Sequence, residues 1–245
     1  RDRYGPNAYP SLLYNAMVNP LVGLSMRGVI WYQGENNTNR AKEYYHLFPA
    51  MINDWRKKWG KDFPFYWVQL ANYMDAVEVP SESLWAQVRE AQTQTLSLSH
   101  TGQAVIIDIG EAKDIHPKNK QEVGRRLALH ALHNDYGFSD VVCESPMPKT
   151  VRRVQDKIAV QFDNVADGLI VKNKYGYLMS FAVAGNDGVY KWVQAKVAGK
   201  DRVVLSCPDV IDPVSVRYAW GDNPDDANLY NSVGLPATPF EIKIE

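Results

Sequence analysis

The fold of this chain is decided by the stretch Arg27-Gly28-Val29-Ile30-Trp31-Tyr32-Gln33-Gly34-Glu35-Asn36-Asn37. Four apolar or aromatic residues, 29–32, stand between a glycine and a cluster of polar side chains. This pattern is typical of a strand that is buried on both faces and ends in a loop. In an open parallel sheet, ligands bind beyond the carboxyl ends of the strands. The sequence therefore predicts a functional site at residues 33–37.

Strand and helix patterns then alternate along the first part of the chain. Apolar residues recur at helical spacing after the loop, with Pro49 expected to kink that helix and Gly60 to end it. A buried strand over 65–70, a helix over 84–98 and a strand over 104–109 follow. A last helix is expected to begin at Pro117. The order predicts an α/β fold with a parallel sheet flanked by helices.

The pattern changes beyond about residue 136. Short apolar runs are separated there by Gly, Asn, Asp and Pro, which predicts a small antiparallel β-sandwich. The runs are 158–162, 180–184, 190–197, 202–206, 214–220 and 240–244. We expect a domain of residues 1–140 and a second of residues 141–245, with the boundary near 138–150. The segment Ser145-Pro146-Met147-Pro148 is the expected link.

Composition limits the class of protein. A formal net charge of -1 with 22% charged residues makes nucleic acid an unexpected partner. No apolar run approaches the length of a membrane span, and the first residues do not resemble a leader peptide. Cys143 and Cys207 fit two separate buried thiols at least as well as one bridge. No Cys/His cluster has metal-ligand spacing, so no metal is expected.

His116 is the strongest catalytic residue by position, because it lies in a loop between a buried strand and a helix start. Imidazole titrates near neutral pH and therefore suits a general base. Position alone supports a helix-capping or structural histidine equally well. Asp114, two residues earlier, suits either an acceptor for this histidine or a surface ion pair or helix cap.

Several motifs resemble one family of enzymes. In chain order they are Leu13-Tyr14-Asn15-Ala16-Met17, Trp31-Tyr32-Gln33-Gly34-Glu35-Asn36-Asn37, Asp114-Ile115-His116-Pro117-Lys118-Asn119-Lys120, Val216-Arg217-Tyr218-Ala219-Trp220, Asn228-Leu229-Tyr230-Asn231 and Gly234-Leu235-Pro236-Ala237. The chain resembles the sialate O-acetylesterases, which are SGNH-type hydrolases that remove acetyl groups from sialic acids. The resemblance implies an SGNH-like fold, sialate 9-O-acetylesterase activity, O-acetylated sialic acid as substrate and no cofactor. A periplasmic or secreted location is implied, or a lysosomal-type one in a eukaryote.

The resemblance also implies roles for single residues. His116 corresponds to the catalytic base, and the Gln33 side chain to a donor for the oxyanion. Gly34 would let the backbone approach closely, while Glu35, Asn36 and Arg89 with Gln92 hold the loop or touch substrate. The family places an aspartate three residues before the histidine, where this chain has Lys113. Several groups could therefore orient His116. Asp114 is the first candidate, followed by Asp108 and Glu111; the alternative is a backbone carbonyl, in which case there is no catalytic triad.

The nucleophile of that family is absent from this sequence. Its serine lies in an upstream Gly-Gln-Ser-Asn motif, and the nearest imitation here, around Ser25, immediately precedes the first strand and does not align. We therefore expect the serine to come from an amino-terminal fragment of the same protein. Two alternatives remain. One is an acetylesterase for plant polysaccharide such as acetylated xylan. The other is a non-catalytic carbohydrate-binding protein that stacks sugars on Trp192, Tyr218, Trp220 and Tyr230.

Overall fold

A parallel sheet between helices forms the first half of the protein. The structure is a computed structural model that describes Gly5 and residues 9–245. Strands β1 (Val29–Trp31), β2 (Phe65–Val68) and β3 (Thr101–Ala104) pair in the order β1-β2-β3, all parallel. The helices are α1 (Ala41–Trp59), α2 (Leu84–Gln94) and α3 (Lys120–Asp135). The predicted alternation of strands and helices is confirmed, but the third strand lies at Thr101–Ala104 and not over 104–109, where the buried apolar residues follow the strand.

The two faces of the central strand are covered by different helices, because successive side chains of a strand point in opposite directions. Phe65 and Trp67 belong to a cluster that contains the apolar faces of α1 and α2. Tyr66 and Val68 belong to a second cluster, which contains Val123 of α3. Strand β2 is therefore buried on both faces, as the sequence pattern over 65–70 predicts.

Strand β1 is the first correction to the sequence-based expectations. It pairs only with β2 among the described residues, and its central residue, Ile30, is 70% exposed. The described residues therefore leave the outer edge of the sheet and the face over Ile30 uncovered. The expectation of a strand buried on both faces is wrong here.

Helix α3 begins three residues later than expected. Its N-cap is Asn119, whose side chain accepts a hydrogen bond from the backbone amide of Glu122, so Lys120 is the first helical residue. Pro117 instead lies in the preceding loop. Pro49 lies inside α1, which continues to Trp59. The segment before β1 contains a short π-helix, Tyr14–Val18, with no buried residue.

Two four-stranded antiparallel sheets and a two-stranded ribbon form the second half. One sheet has the order β4-β5-β10-β9 and the other the order β13-β11-β7-β8, while β12 pairs with β6. Their bounds are β4 Met147–Val154, β5 Lys157–Asp163, β6 Leu169–Val171, β7 Phe181–Ala184, β8 Tyr190–Trp192, β9 Gln194–Val197, β10 Arg202–Ser206, β11 Ser215–Tyr218, β12 Leu229–Asn231 and β13 Phe240–Lys243. Buried side chains from both four-stranded sheets meet in one apolar core, for example Val160 and Val216.

Two sequence-based expectations for this half need correction. The run 190–197 is not one strand: β8 pairs with β7 in one sheet, and β9 pairs with β10 in the other. The chain crosses between the sheets at Val193. The expected link at 145–148 is not wholly a loop, since β4 begins at Met147.

Cys143 and Cys207 are buried free thiols, and burial raises the pKa of Cys143 to about 11. Within Gly5 and residues 9–245, no helix is long and apolar enough to cross a membrane. The same residues contain no group of three or more His, Cys, Asp or Glu side chains arranged to hold a metal ion.

Candidate active site

The loop that follows β1 is held against helix α2 by a glycine. Gly34 has φ 152°, a conformation that L side chains rarely adopt. A Cβ atom at this position would lie 3.2 Å from Leu70 Cδ2 and 3.3 Å from Gln92 Nε2. The close approach predicted for the Gly34 backbone is therefore an approach to buried side chains of the protein core. A larger residue at this position would push the loop away from Leu70 and Gln92.

Gln33 is fixed by two neighbours. The Tyr44 hydroxyl of α1 donates to Gln33, with Oε1 at 3.1 Å and the backbone carbonyl oxygen at 3.2 Å as its two acceptors. Gln33 Nε2 donates to Asn37 Oδ1 at 2.7 Å. Burial raises the pKa of Tyr44 to about 12, so the phenol remains a donor at neutral pH. A primary amide has two N–H donors, and the bond to Asn37 uses one. The other is available for a ligand oxygen.

One cavity of about 360 Å³ brings four of the predicted site residues together. Gln33, Glu35 and Asn36 line it from the loop after β1, and His116 lines it from the loop before α3. The remaining lining residues are Tyr32, Ile115, Pro117 and Lys120. The cavity lies beyond the carboxyl ends of the strands, where the sequence pattern predicts the site.

The His116 imidazole is open to solvent, with 85% of its side chain exposed. Its Nδ1 atom lies 3.7 Å from Asp114 Oδ1, which is too long for a hydrogen bond but within ion-pair distance. The same carboxylate oxygen accepts a hydrogen bond from the His116 backbone amide at 2.9 Å. Asp114 therefore fixes the loop backbone and places a negative charge beside the ring.

The two other carboxylates considered for His116 have different partners. Arg126 donates to both oxygens of Asp108, at 2.6 and 2.9 Å. Lys118 Nζ lies 2.8 Å from a Glu111 oxygen. Of the three carboxylates, Asp114 is the one that the structure places beside the imidazole.

Arg89 lies outside the cavity and is completely buried. Its guanidinium donates to the carbonyls of Leu70 and Ala71, at 2.8 and 2.7 Å, and of Gly221 and Asp222, at 2.6 and 3.0 Å. Burial lowers its pKa to about 9, which leaves it charged at neutral pH. A substrate contact from Arg89 is therefore not supported, and the residue joins the two halves of the protein.

Gln92 supports the loop from α2. Its Oε1 atom accepts from the Leu70 amide at 3.0 Å, and its Nε2 atom donates to the Gln33 carbonyl at 3.3 Å. Of the two roles that the sequence left open for this residue, the contacts fit the structural one.

Sequence reasoning missed three residues of the site. The sequence indicates Tyr44 only as part of an apolar helix face, and its hydroxyl contact with Gln33 carries no sequence signal. Tyr32 and Lys120 line the cavity, with Lys120 Nζ 5.0 Å from the centroid of the Tyr32 ring. Burial and the nearby Glu35 carboxylate raise the pKa of Tyr32. The position of Lys120 at a helix start was a usable signal, because helix N-termini attract anions.

No serine is among the residues that line this cavity in the described part of the chain. Ser25 lies in the exposed segment before β1. Of the aromatic residues proposed to stack sugars, Tyr218, Trp220 and Tyr230 are buried, while Trp192 is 42% exposed. Of the four rings that the carbohydrate-binding alternative would use, three are therefore not available for stacking.

Comparison with known proteins agrees with these motifs. The sequence model of the family described as carbohydrate esterase, sialic acid-specific acetylesterase, matches residues 4–133. The chain belongs to this family. The resemblance stated from the motifs is thus confirmed.

Relatives of this carbohydrate esterase family match nearly all of the chain. The sialate O-acetylesterase of Mus musculus is 30% identical over 271 residues, which cover 98% of this chain and 48% of the mouse protein. The sialate O-acetylesterase of Homo sapiens is 31% identical, and the match covers 96% of this chain and 49% of the human protein. A crystal structure of a carbohydrate acetylesterase from Xanthomonas citri matches with a TM-score of 0.90 at 44% identity, covering 96% of this chain and 55% of that one. The chain spans about half the length of the curated relatives it matches.

Proposed function

We propose that this chain provides the base and the oxyanion-binding side of an esterase that removes O-acetyl groups from sialic acid, at the 9-position. The observation that carries the proposal is that His116 and Gln33, from loops after different strands, line one cavity. The family supports acetyl ester hydrolysis on a carbohydrate.

The mechanism assigns each residue one task. A serine hydroxyl attacks the acetyl carbonyl while His116 accepts its proton. The free N–H of Gln33 donates to the oxygen that becomes negatively charged. His116 then returns the proton to the departing sugar hydroxyl. In the second half, water attacks the acyl-serine while His116 accepts its proton; the bond between the acetyl carbon and the serine oxygen breaks, His116 returns the proton to that oxygen, and acetate is released.

The serine is proposed to come from an amino-terminal fragment of the same protein, packed beside β1. Three observations support this origin: the chain covers about half of its relatives, the cavity is lined by no described serine, and Ile30 is exposed at the sheet edge. Leu13, Met17 and Leu24 in the segment before β1 are also exposed. Contiguous apolar surface and open strand edges are normally covered by another part of a protein.

Lys120 is proposed to recognise the carboxylate of sialic acid. It is the lysine among the described residues that line the cavity and the first residue of α3, whose N-terminus also favours an anion. Lys120→Met should raise KM for an O-acetylated sialic acid and leave KM for acetylated xylan unchanged. Lys118→Met is the matched control, because Lys118 pairs with Glu111. Equal effects of Lys120→Met on both substrates would favour the plant-polysaccharide alternative.

The finer points of architecture and location are proposals as well. We place the carboxyl-terminal part of an SGNH-like esterase domain in residues 1–140 and a β-sandwich domain in residues 141–245. A periplasmic or secreted protein, or a lysosomal-type one in a eukaryote, fits the family.

The experiment that tests the function combines labelling and mass spectrometry. The whole purified protein is treated with a fluorophosphonate, and every polypeptide is weighed intact. A label outside residues 1–245 supports the proposal. A label within residues 1–245 refutes the claim that the nucleophilic serine comes from an amino-terminal fragment. No label, together with no acetate release, would favour the carbohydrate-binding alternative.

The same whole protein allows a direct test of the base. His116→Ala should reduce acetate release about 10²- to 10⁴-fold, the usual contribution of a general base. His46→Ala, on the exposed side of α1, is the matched control and should leave the rate unchanged. Equal rates for His116→Ala and the unmodified protein would exclude His116 as the base.

A further inference from the structure

A second cavity, of about 300 Å³, lies between the loop after β2 and the β-rich half. Residues 76–78 form one side, and the loop between β11 and β12 forms another. Trp192 and Met179 add apolar surface. Within the described part of the chain, it shares no lining residue with the cavity that contains His116. The volume lies at the lower end of the range for small-ligand pockets, which is about 300–1,000 Å³.

Trp192 offers a fixed, partly exposed ring to this cavity. Its indole Nε1 donates to the Glu78 carbonyl at 2.9 Å, which joins β8 to the loop after β2. The ring is thus held by its polar edge while 42% of the residue remains accessible. Val77 and Met179 beside it are exposed apolar side chains. A flat apolar platform of this kind suits stacking against the C–H face of a sugar ring.

Trp220 adds an unused donor. This residue lines the cavity and is 6% exposed, yet its Nε1 has no hydrogen-bond partner in the described part of the chain. The Arg217 guanidinium lies 4.9 Å from its ring and is held by Glu82 and Glu241, each at 2.6 Å. A buried donor without a partner is unfavourable, because it has given up its hydrogen bond to water and gained none in return. A ligand oxygen that accepts from this N–H would relieve that penalty.

The charges around the cavity indicate the class of ligand. Among its described lining residues are Glu78, Asp225 and Asp226, and neither lysine nor arginine. Carboxylates accept hydrogen bonds from hydroxyl groups and repel anions, so a sialate carboxylate is disfavoured here. Sites for methylated ammonium ions are usually cages of several aromatic rings, whereas Trp192 is the one partly exposed ring among the same residues.

We propose that this cavity binds a neutral sugar residue of the glycan that carries the acetylated sugar. The assignment of the ligand as a carbohydrate rests on the proposed function. The binding itself requires neither His116 nor the serine. In this role the cavity holds the substrate chain at a second point, away from the reacting ester.

The test measures binding of cellobiose, xylobiose and lactose to the whole protein by two-dimensional NMR of the tryptophan indole N–H groups. We expect at least one disaccharide to shift the signals of Trp192 and Trp220. Trp192→Ala should weaken that binding about tenfold, whereas Trp192→Phe, which keeps a ring but loses the bond to Glu78, should weaken it less. Tyr175→Ala, an exposed aromatic outside this cavity, is the matched control and should bind normally.

Activity measurements separate this proposal from the proposed function. Trp192→Ala should leave hydrolysis of 4-nitrophenyl acetate unchanged and reduce kcat/KM on an acetylated oligosaccharide. If the protein binds a disaccharide but hydrolyses no ester, the proposal that this cavity binds sugar is supported and the proposed esterase function is refuted. Three results would overturn the assignment: no shift with any disaccharide, equal losses in Trp192→Ala and Trp192→Phe, or shifts produced by tetramethylammonium chloride alone.

Discussion

The hydroxyl of Tyr44 offers a sharp test of how the protein positions its oxyanion donor. Tyr44→Phe removes one oxygen and with it the hydrogen bond to Gln33 Oε1. The ring should stay in place, because Tyr44 is buried and stacks on Phe48 at 5.2 Å between centroids. Among the described contacts, the Gln33 side chain would then be held by Asn37 alone, while Gln92 would still bind the Gln33 carbonyl, so the free N–H of the side chain would no longer have a fixed direction.

The magnitude follows from the hydrogen bond that the substitution removes. One hydrogen bond contributes about 0.5–1.5 kcal/mol to the free energy of unfolding, so we expect a decrease near 1 kcal/mol. Removing an oxyanion donor reduces kcat about 10²- to 10³-fold. Tyr44→Phe weakens the placement of the donor without removing it, so we expect kcat to fall about tenfold, or about 1.4 kcal/mol, with KM nearly unchanged.

The assay is hydrolysis of 4-nitrophenyl acetate by the whole protein, with urea unfolding measured in parallel. Tyr45→Phe is the matched control, because its hydroxyl contacts Glu90 on α2 and not Gln33. The control should lose stability but not kcat. In the double variant Tyr44→Phe with Gln33→Ala, the rate should equal that of Gln33→Ala alone. Rate reductions that multiply in the double variant would show that Tyr44 acts independently of Gln33 and would refute the reasoning.

Three other predictions concern packing, pH and the charge beside the base. Gly102→Ala should lower the free energy of unfolding by about 1–3 kcal/mol, since its Cβ would lie 2.5 Å from His130 Nδ1, whereas Gly124→Ala in α3 has open space and should be neutral or stabilising. Hydrogen bonds from Arg125 and Arg126 lower the pKa of Glu122 to about 2, so its stabilisation is complete above about pH 4.5, decreases as the pH falls and is lost below about pH 2. Glu122→Gln should therefore reduce stability by about 1 kcal/mol at pH 7 and have no effect at about pH 1 in thermal unfolding; a difference that persists there would contradict this. Asp114→Asn keeps an acceptor for the His116 amide but removes the charge, so kcat should fall about tenfold or more at unchanged stability, and an unchanged kcat would leave Asp114 a purely structural role.

The sequence predicted the order of elements and the edge of the sheet that carries the site. It did so because apolar runs and polar loop residues report burial and strand ends directly. It misjudged β1, because an apolar run looks the same whether the layer over Ile30 is present or absent. It also merged β8 and β9, since period-2 alternation does not reveal that the chain changes sheets at Val193.

The residues of the site were predicted unevenly. Gln33 and His116 lie in motifs that a resemblance can identify, and the structure places both at one cavity. Tyr44 owes its contact with Gln33 to packing between distant segments, which no local pattern reports, whereas the position of Lys120 at a helix start is a local signal that was not used. The aromatic residues were ambiguous because rings that suit sugar stacking also suit a core, and three of the four rings considered for stacking in the carbohydrate-binding alternative are buried.

The position of the Arg89 guanidinium determines how the two halves of the protein unfold. It donates to Leu70 and Ala71 on one side and to Gly221 and Asp222 on the other, while Val105 and Ile107 extend from the end of β3 into the core of the β-rich half. Separation of the halves would strand a buried cation and open an apolar core in the same event. Heating should therefore melt the chain in a single calorimetric transition, and a gene cut near codon 140 should not yield two proteins that fold on their own.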